Sequence, residues 1–245
     1  MTLQRFIQTS VAAIFAITVS VPTLAAVTWT RLISTPETND GGDSRSANFI
    51  DYNNDGWLDL MFTNGPAAPG EVNFLYYNNG DGTFTREFAD TIANVARSHD
   101  GATWGDADND GDLDVFIATW YNQQNMYFTN DGDGTFTRVA GVHPAGENSY
   151  SEAGSWADYD KDGDIDLFVA NSGGNFRNFL YRNNGNGTFT KITTGDIVTD
   201  GATSRLGAWG DYDNDGDPDV FVPNENNENN NLYQNQGDGT FLFIT

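Results

Sequence analysis

Four nine-residue stretches carry acidic side chains at alternate positions: DYNNDGWLD (51–59), DADNDGDLD (106–114), DYDKDGDID (158–166) and DYDNDGDPD (211–219). Alternate carboxylates on a tight turn suit a hard divalent cation, because Ca²⁺ takes six to eight oxygen ligands. The second stretch offers the side chains of Asp106, Asp108, Asp110 and Asp114, with a backbone carbonyl from Asp112. The equivalent sets are Asp51, Asn53, Asp55 and Asp59 with the carbonyl of Trp57; Asp158, Asp160, Asp162 and Asp166 with that of Asp164; and Asp211, Asp213, Asp215 and Asp219 with that of Asp217. Each set is expected to hold one Ca²⁺, up to four in all. The glycine at the sixth position permits the sharp turn. These are not EF-hands, which need Glu at position 12; that position holds Phe62, Ile117, Val169 and Val222. The alternative is a solvated acidic turn without metal. Two carboxylates about 5 Å apart repel by roughly 3 kcal/mol at an effective dielectric near 20. Four of them in one empty loop would be severely strained, so Ca²⁺ is expected, with Mg²⁺ behind it because it keeps its waters.

The loop starts lie 55, 52 and 53 residues apart, and a second element follows each loop: NGDGTF (79–84), DGDGTF (131–136), NGNGTF (184–189) and QGDGTF (236–241). Asn-Gly and Asp-Gly supply the positive φ of hairpin turns. Around these markers each unit reads as four short strands. A small-and-aromatic strand precedes the acidic loop, as in GATW (101–104), and apolar runs follow it at 58–62, 113–118, 165–170 and 220–222. An aromatic strand and a strand after the Gly-rich turn complete the unit. No helical period is sustained. Four strands per roughly 50-residue repeat is the arithmetic of a propeller blade. The fold class expected is all-β: a β-propeller of four-stranded antiparallel blades, with four repeats.

The pattern D-x-[DN]-x-D-G-x-x-D followed by x-G-x-G-T-F resembles the FG-GAP/VCBS repeat family of integrin-like β-propellers, and its cartilage acidic protein-like branch in particular. The resemblance covers about residues 28–245. It implies antiparallel blades around a central axis, Ca²⁺ in each acidic loop, and an extracellular setting. Family rings often have seven blades, whereas four are visible here. Residues 28–32, TWTRL, match the fourth-strand sequence TFTKI at 188–192 and add a strand without a blade of its own. An incomplete or open propeller is therefore expected, completed either by a larger ring or by self-association.

Composition narrows the partners. The formal net charge is −24 and 18 of the 28 Asp lie in the four loops. Such acidity argues against nucleic-acid binding, which needs a basic surface. The absence of Cys excludes a disulfide scaffold and thiol chemistry. Seventeen Phe, ten Tyr and six Trp argue against an acidic disordered chain. Residues 1–25 read as a signal peptide, with Arg5 near the start, an apolar stretch at 11–21 and cleavage after Ala25. The remainder, 26–245, has no membrane span and is expected to be secreted, periplasmic or at the cell surface.

In an up-and-down blade the acidic and Gly-rich turns share one face, and the varied loops share the other. A constant face suits stability and a varied face suits recognition. Six residues before each acidic loop stand Arg45, Asp100, Glu152 and Arg205, a mixed-charge set expected near the central mouth as ligand contacts. Phe49, Trp104, Trp156 and Trp209, two residues before each loop, are expected to pack between blades. His99 and His143 are isolated, and no catalytic constellation recurs around them. The function expected is a secreted calcium-binding scaffold for a protein or glycan ligand, in adhesion among other settings. The alternative is a propeller-type carbohydrate-active hydrolase or lyase using Asp100 and Glu152.

Overall fold

The computed structural model describes residues 30–32, 34–65 and 70–244. Residues 33–245 form one compact unit, which holds every described strand and helix. Residues 1–25, read above as a signal peptide, and the first two residues of the strand expected at 28–32 lie outside the described residues; Thr30–Leu32 carry no regular structure.

Four four-stranded antiparallel sheets follow one another along the chain, each in simple up-and-down order. Blade 1 comprises Ser44–Ile50, Asp59–Asn64, Phe74–Asn78 and Phe84–Glu87. Blade 2 comprises His99–Gly105, Asp114–Thr119, Met126–Asn130 and Phe136–Val139. Blade 3 comprises Ser151–Ala157, Asp166–Asn171, Phe179–Asn183 and Phe189–Ile192, and blade 4 Ala208–Gly210, Asp219–Val222, Asn231–Asn235 and Phe241–Ile244. The all-β expectation holds, and among the described residues no sheet closes on itself. Three one-turn helices, Pro36–Asn39, Thr91–Asn94 and Asp196–Thr199, precede blades 1, 2 and 4, and a two-residue ladder joins Gln123–Gln124 to Asn148–Ser149. No helical period announced these turns, which are too short to have one.

The second strands of blades 2 and 3 are buried on both faces because each of these blades is sandwiched between two neighbours. Val115 and Ile117 face blade 1 beside Ile50, Met61 and Leu75. Their alternate neighbours Phe116 and Ala118 face blade 3 beside Leu167, Val169 and Tyr181. Phe168 and Ala170 of blade 3 then pack with Val220, Val222 and Tyr233 of blade 4. This explains why these segments read as continuous apolar runs rather than as alternating ones.

Polar side chains lock the blades in register. The last residue of each third strand is Asn, and its Nδ2 donates to a carbonyl of the preceding blade: Asn130 to Tyr52 at 2.8 Å, Asn183 to Ala107 at 2.6 Å and Asn235 to Tyr159 at 2.7 Å. Those carbonyls belong to the second residue of the acidic loop. The Tyr52 ring lies 6.0 Å from Phe136, and Tyr159 lies 5.5 Å from Phe241. The loop of one blade is thus a plug in the next. Trp104, Trp156 and Trp209 join these clusters as expected, whereas Phe49, at the outer edge of the array, is exposed.

Asn183→Ala should lower unfolding free energy by about 1–3 kcal/mol, because it strands the buried Ala107 carbonyl. Asn78→Ala should cost less, since the Asn78 amide donates only to Leu58 of its own blade. Urea denaturation of the two variants checks this; equal losses would show that the inter-blade bond contributes nothing of its own.

Candidate functional site

Each acidic loop is built around the carboxylate at its first position. Asp106 accepts from the backbone N–H of Asp110 and of Gly111, both at 3.1 Å. Asp51, Asp158 and Asp211 repeat the arrangement. The fifth-position carboxylates of Asp55, Asp110, Asp162 and Asp215 accept from the N–H of the seventh residue at 2.8–3.0 Å. The turn is completed by a left-handed residue at position four (φ 59–62° at Asn54, Asn109, Lys161 and Asn214) and a glycine near φ 90° at position six. Positive φ at positions four and six explains the Asn-x-Gly pattern of three loops, Lys161 standing in for Asn in the third.

The ninth-position carboxylates Asp59, Asp114, Asp166 and Asp219 are buried at the start of the second strands. One oxygen of each accepts the backbone N–H of the third-strand Asn at 2.7–2.9 Å. In loops two to four the other oxygen accepts the N–H of the plug residue, at 3.0–3.1 Å. Tyr127 also donates its hydroxyl to Asp114. Burial pushes Asp59 and Asp114 up to about 6 and Asp166 up to about 7, with neighbouring loop carboxylates adding to the effect.

Three loops gather carboxylates closely enough to share one ion. Oxygens of Asp106, Asp108 and Asp110 lie within 4.8 Å of one another, as do those of Asp158, Asp160 and Asp166 and those of Asp211, Asp213 and Asp219. Asp114, Asp162 and Asp215 stand outside these triplets. Among the described residues the 51–59 loop forms no such group, because Asn53 replaces a carboxylate. The donor set fits a hard divalent cation, and two oxygens point to an absent partner. Asp108 Oδ1 and Asp59 Oδ2 are buried with no hydrogen bond of good geometry, each only loosely reached by a backbone N–H, that of Asp110 and that of Tyr52, and native proteins rarely leave such atoms unexplained.

The seventh position has a role that spacing alone did not reveal. Asp112 and Asp164 accept from Asn54 and Asn109 of the preceding blade, at 2.5 and 2.6 Å, and Lys161 reaches Asp217 at 2.5 Å. These carboxylates bridge blades. Trp57, which holds the same position in blade 1, lays its indole against Gly80.

The second candidate cluster lies at the opposite ends of the first strands. Arg205 pairs with Glu152 at 2.6 Å and also with Glu225. Glu152 accepts from the Ser172 hydroxyl, and its charge acts on the neighbouring Asp100. Burial, then the Glu152 charge, pushes the Asp100 carboxyl well above the usual carboxylate range, while Arg45 and Arg205 pull it down. Four charged groups from four blades therefore converge. A register shift makes this happen: the first strand of each of the first three blades is irregular at 44–46, 99–102 and 151–153, the points carrying Arg45, Asp100 and Glu152. A bulge bends the strand and re-aims its side chain. In blade 4 the first strand starts late, at Ala208, and Arg205 donates its N–H to Pro223. His99 is fully buried beside this cluster, and burial pushes its imidazole down to about 4, so it is a neutral core residue.

The FG-GAP-like repeat model matches residues 51–117, 106–169, 158–222 and 211–245. Human cartilage acidic protein 1 (Homo sapiens) is 24% identical over 159 residues, covering 61% of this chain and 24% of that protein. A solved structure of an Agrocybe aegerita lectin, described as recognising non-reducing terminal N-acetylglucosamine, superposes with a TM-score of 0.54 at 22% identity over 83% of this chain and 52% of that one. The chain thus spans about a quarter of the human relative and half of the lectin chain. With the repeat model matched from the first acidic loop to the last residue, the chain belongs to the FG-GAP-like repeat family.

Proposed function

We propose that this chain is an exported, calcium-stabilised scaffold that binds a protein or glycan ligand at the mouth formed by Arg45, Asp100, Glu152 and Arg205. The carrying observation is the convergence of one charged residue from each of four blades, three of them carried at irregularities of their first strands. Bulges that redirect side chains recur beside functional sites. Membership of a repeat family with extracellular relatives supports export of residues 26–245 after removal of 1–25, and among the described residues no helix is long and apolar enough to cross a membrane.

Calcium in the acidic loops would supply positive charge and oxygen coordination. Asp106, Asp108 and Asp110 would hold it in loop two, Asp158, Asp160 and Asp166 in loop three, and Asp211, Asp213 and Asp219 in loop four. The ninth-position Asp of each loop ties that loop to its own third strand, so neutralising the loop stabilises the blade.

Glycan and protein arrays, including glycans ending in N-acetylglucosamine, should show a ligand for the unsubstituted protein in calcium. Arg45→Gln with Arg205→Gln should weaken that binding at least tenfold while the fold persists by circular dichroism; undiminished binding would remove the mouth from the ligand site. Excess EGTA should lower the melting temperature by about 5 °C or more, since one site at a hundredfold saturation contributes about 2.7 kcal/mol. An unchanged melt, with no metal retained, would defeat the calcium assignment.

A further inference from the structure

The repeat is broken at the link into blade 3. The link into blade 2, residues 88–98, makes the helical turn Thr91–Asn94. The link into blade 3, residues 140–150, has the same length but instead pairs Asn148–Ser149 with Gln123–Gln124 of the blade 2 loop. Beside this ladder lies a hollow of about 430 Å³, bordered by Asn122, Asn148, Tyr150, Gly173, Arg177 and Lys191 among others. That volume falls within the roughly 300–1,000 Å³ of small-molecule sites. Its base is held by groups that are already bonded. Asn171 and Asn178 are buried; Asn178 Oδ1 accepts the Asn171 N–H at 2.9 Å, and Asn171 Nδ2 donates to the Arg177 carbonyl at 2.7 Å. The Tyr150 ring lies so close to the backbone of Gly173 and Gly174 that a Cβ there would stand 2.9 and 3.3 Å from it. Trp120 packs edge-on against the same ring at 5.2 Å and donates its indole N–H to Ser172 at 2.9 Å. The rim is the opposite case. Among the described residues the Asn122 and Asn148 amides and the Tyr150 hydroxyl make no hydrogen bond, and the Arg177 guanidinium makes neither a hydrogen bond nor an ion pair. The flanking loops are also held against local preference. Tyr121 and Asn122 at φ 57° and Phe176 at φ 56° are left-handed, where the matching turn of blade 4 uses Asn226 and Asn227. Bulky residues seldom adopt that region, and such backbone clusters at ligand clamps.

We propose that this hollow binds a saccharide residue bearing a carboxylate, with the Tyr150 ring against the apolar C–H face of the sugar, Asn122 and Asn148 on its hydroxyls and Arg177 on its carboxylate. The chemistry follows from the bonding capacity that the rim leaves open. A guanidinium offers a carboxylate two parallel N–H donors. An amide donates and accepts, as a sugar hydroxyl does. Lys191 is already engaged, with the Glu147 carboxylate and with the Phe179 ring at 3.9 Å, so Arg177 is the cation left for an incoming anion. A net charge of −24 repels anions at large; an acidic ligand is held only where an unpaired cation is joined by apolar and hydrogen-bonding contacts. The hollow is separate from the charged mouth, where Arg205 is paired with Glu152 and Glu225, and the inference stands whether or not the mouth binds a ligand.

Proton–nitrogen correlation spectra of the labelled protein in calcium, titrated with methyl β-D-glucuronide and separately with methyl α-D-galacturonide, test this. At least one uronide should bind in the millimolar range, with shifts centred on residues 121–122, 147–150, 173–177 and 191–193. The matching neutral glycosides and acetate should each bind at least tenfold more weakly. Arg177→Gln and Asn122→Gly should each weaken uronide binding several-fold with the melt unchanged, since both side chains are exposed and glycine accepts the φ of Asn122. Failure of both uronides to bind at millimolar concentration overturns the inference. So do equal binding of the neutral glycosides, undiminished binding by Arg177→Gln, or shifts centred instead on Arg45, Asp100, Glu152 and Arg205.

Discussion

The constraint on which the rest depends is electrostatic. Each repeat places three to five Asp within nine residues and buries the last of them at the foot of a strand. A buried carboxylate is costly unless it is hydrogen-bonded or neutralised. The chain meets part of this cost by aiming backbone N–H groups at the acids: two from the turn itself, and two that come from the plug residue and the third strand. The ninth Asp is therefore the point at which loop, second strand and third strand are fixed together.

From that point the architecture propagates in both directions. The third-strand Asn, whose N–H is held by the ninth Asp, turns its amide to the preceding blade. The plug residue, whose N–H in loops two to four is also held by that Asp, enters the following one. Blade spacing is thus set by the same residues that order the acidic loop. At the far ends of the first strands the pattern relaxes. There the irregularities at Arg45, Asp100 and Glu152 bend the strands, and charges from separate blades meet around Glu152. The scaffold is regular on one face so that the other can vary.

Much of this was legible in residue pattern. The four loops, the Gly-rich turns and the strand order follow from periodic markers whose φ requirements are local. Arg45, Asp100, Glu152 and Arg205 were legible as equivalent positions, although the bulges that aim them were not, since a bulge leaves no composition signal. The bridging of Asp112, Asp164 and Asp217 to the preceding blade was hidden for a different reason. It pairs residues more than 50 positions apart, and nothing local distinguishes a carboxylate facing an ion from one facing a neighbour. The exposure of Phe49 was hidden because an aromatic at that position packs only when a blade precedes it. Position four carried a readable signal: Asn, Asn and Lys, all donors, stand where a partner acid is met.

The central claim is that the crowded loops are divalent-cation sites that lock each blade. Calorimetric titration of the metal-stripped protein with Ca²⁺ tests it most directly. The account predicts uptake of three ions, one for each of the loops at 106–114, 158–166 and 211–219, with the Asn53-containing loop filling last or not at all. Absence of binding heat at millimolar Ca²⁺, with a folded protein in the cell and no metal retained, would contradict it.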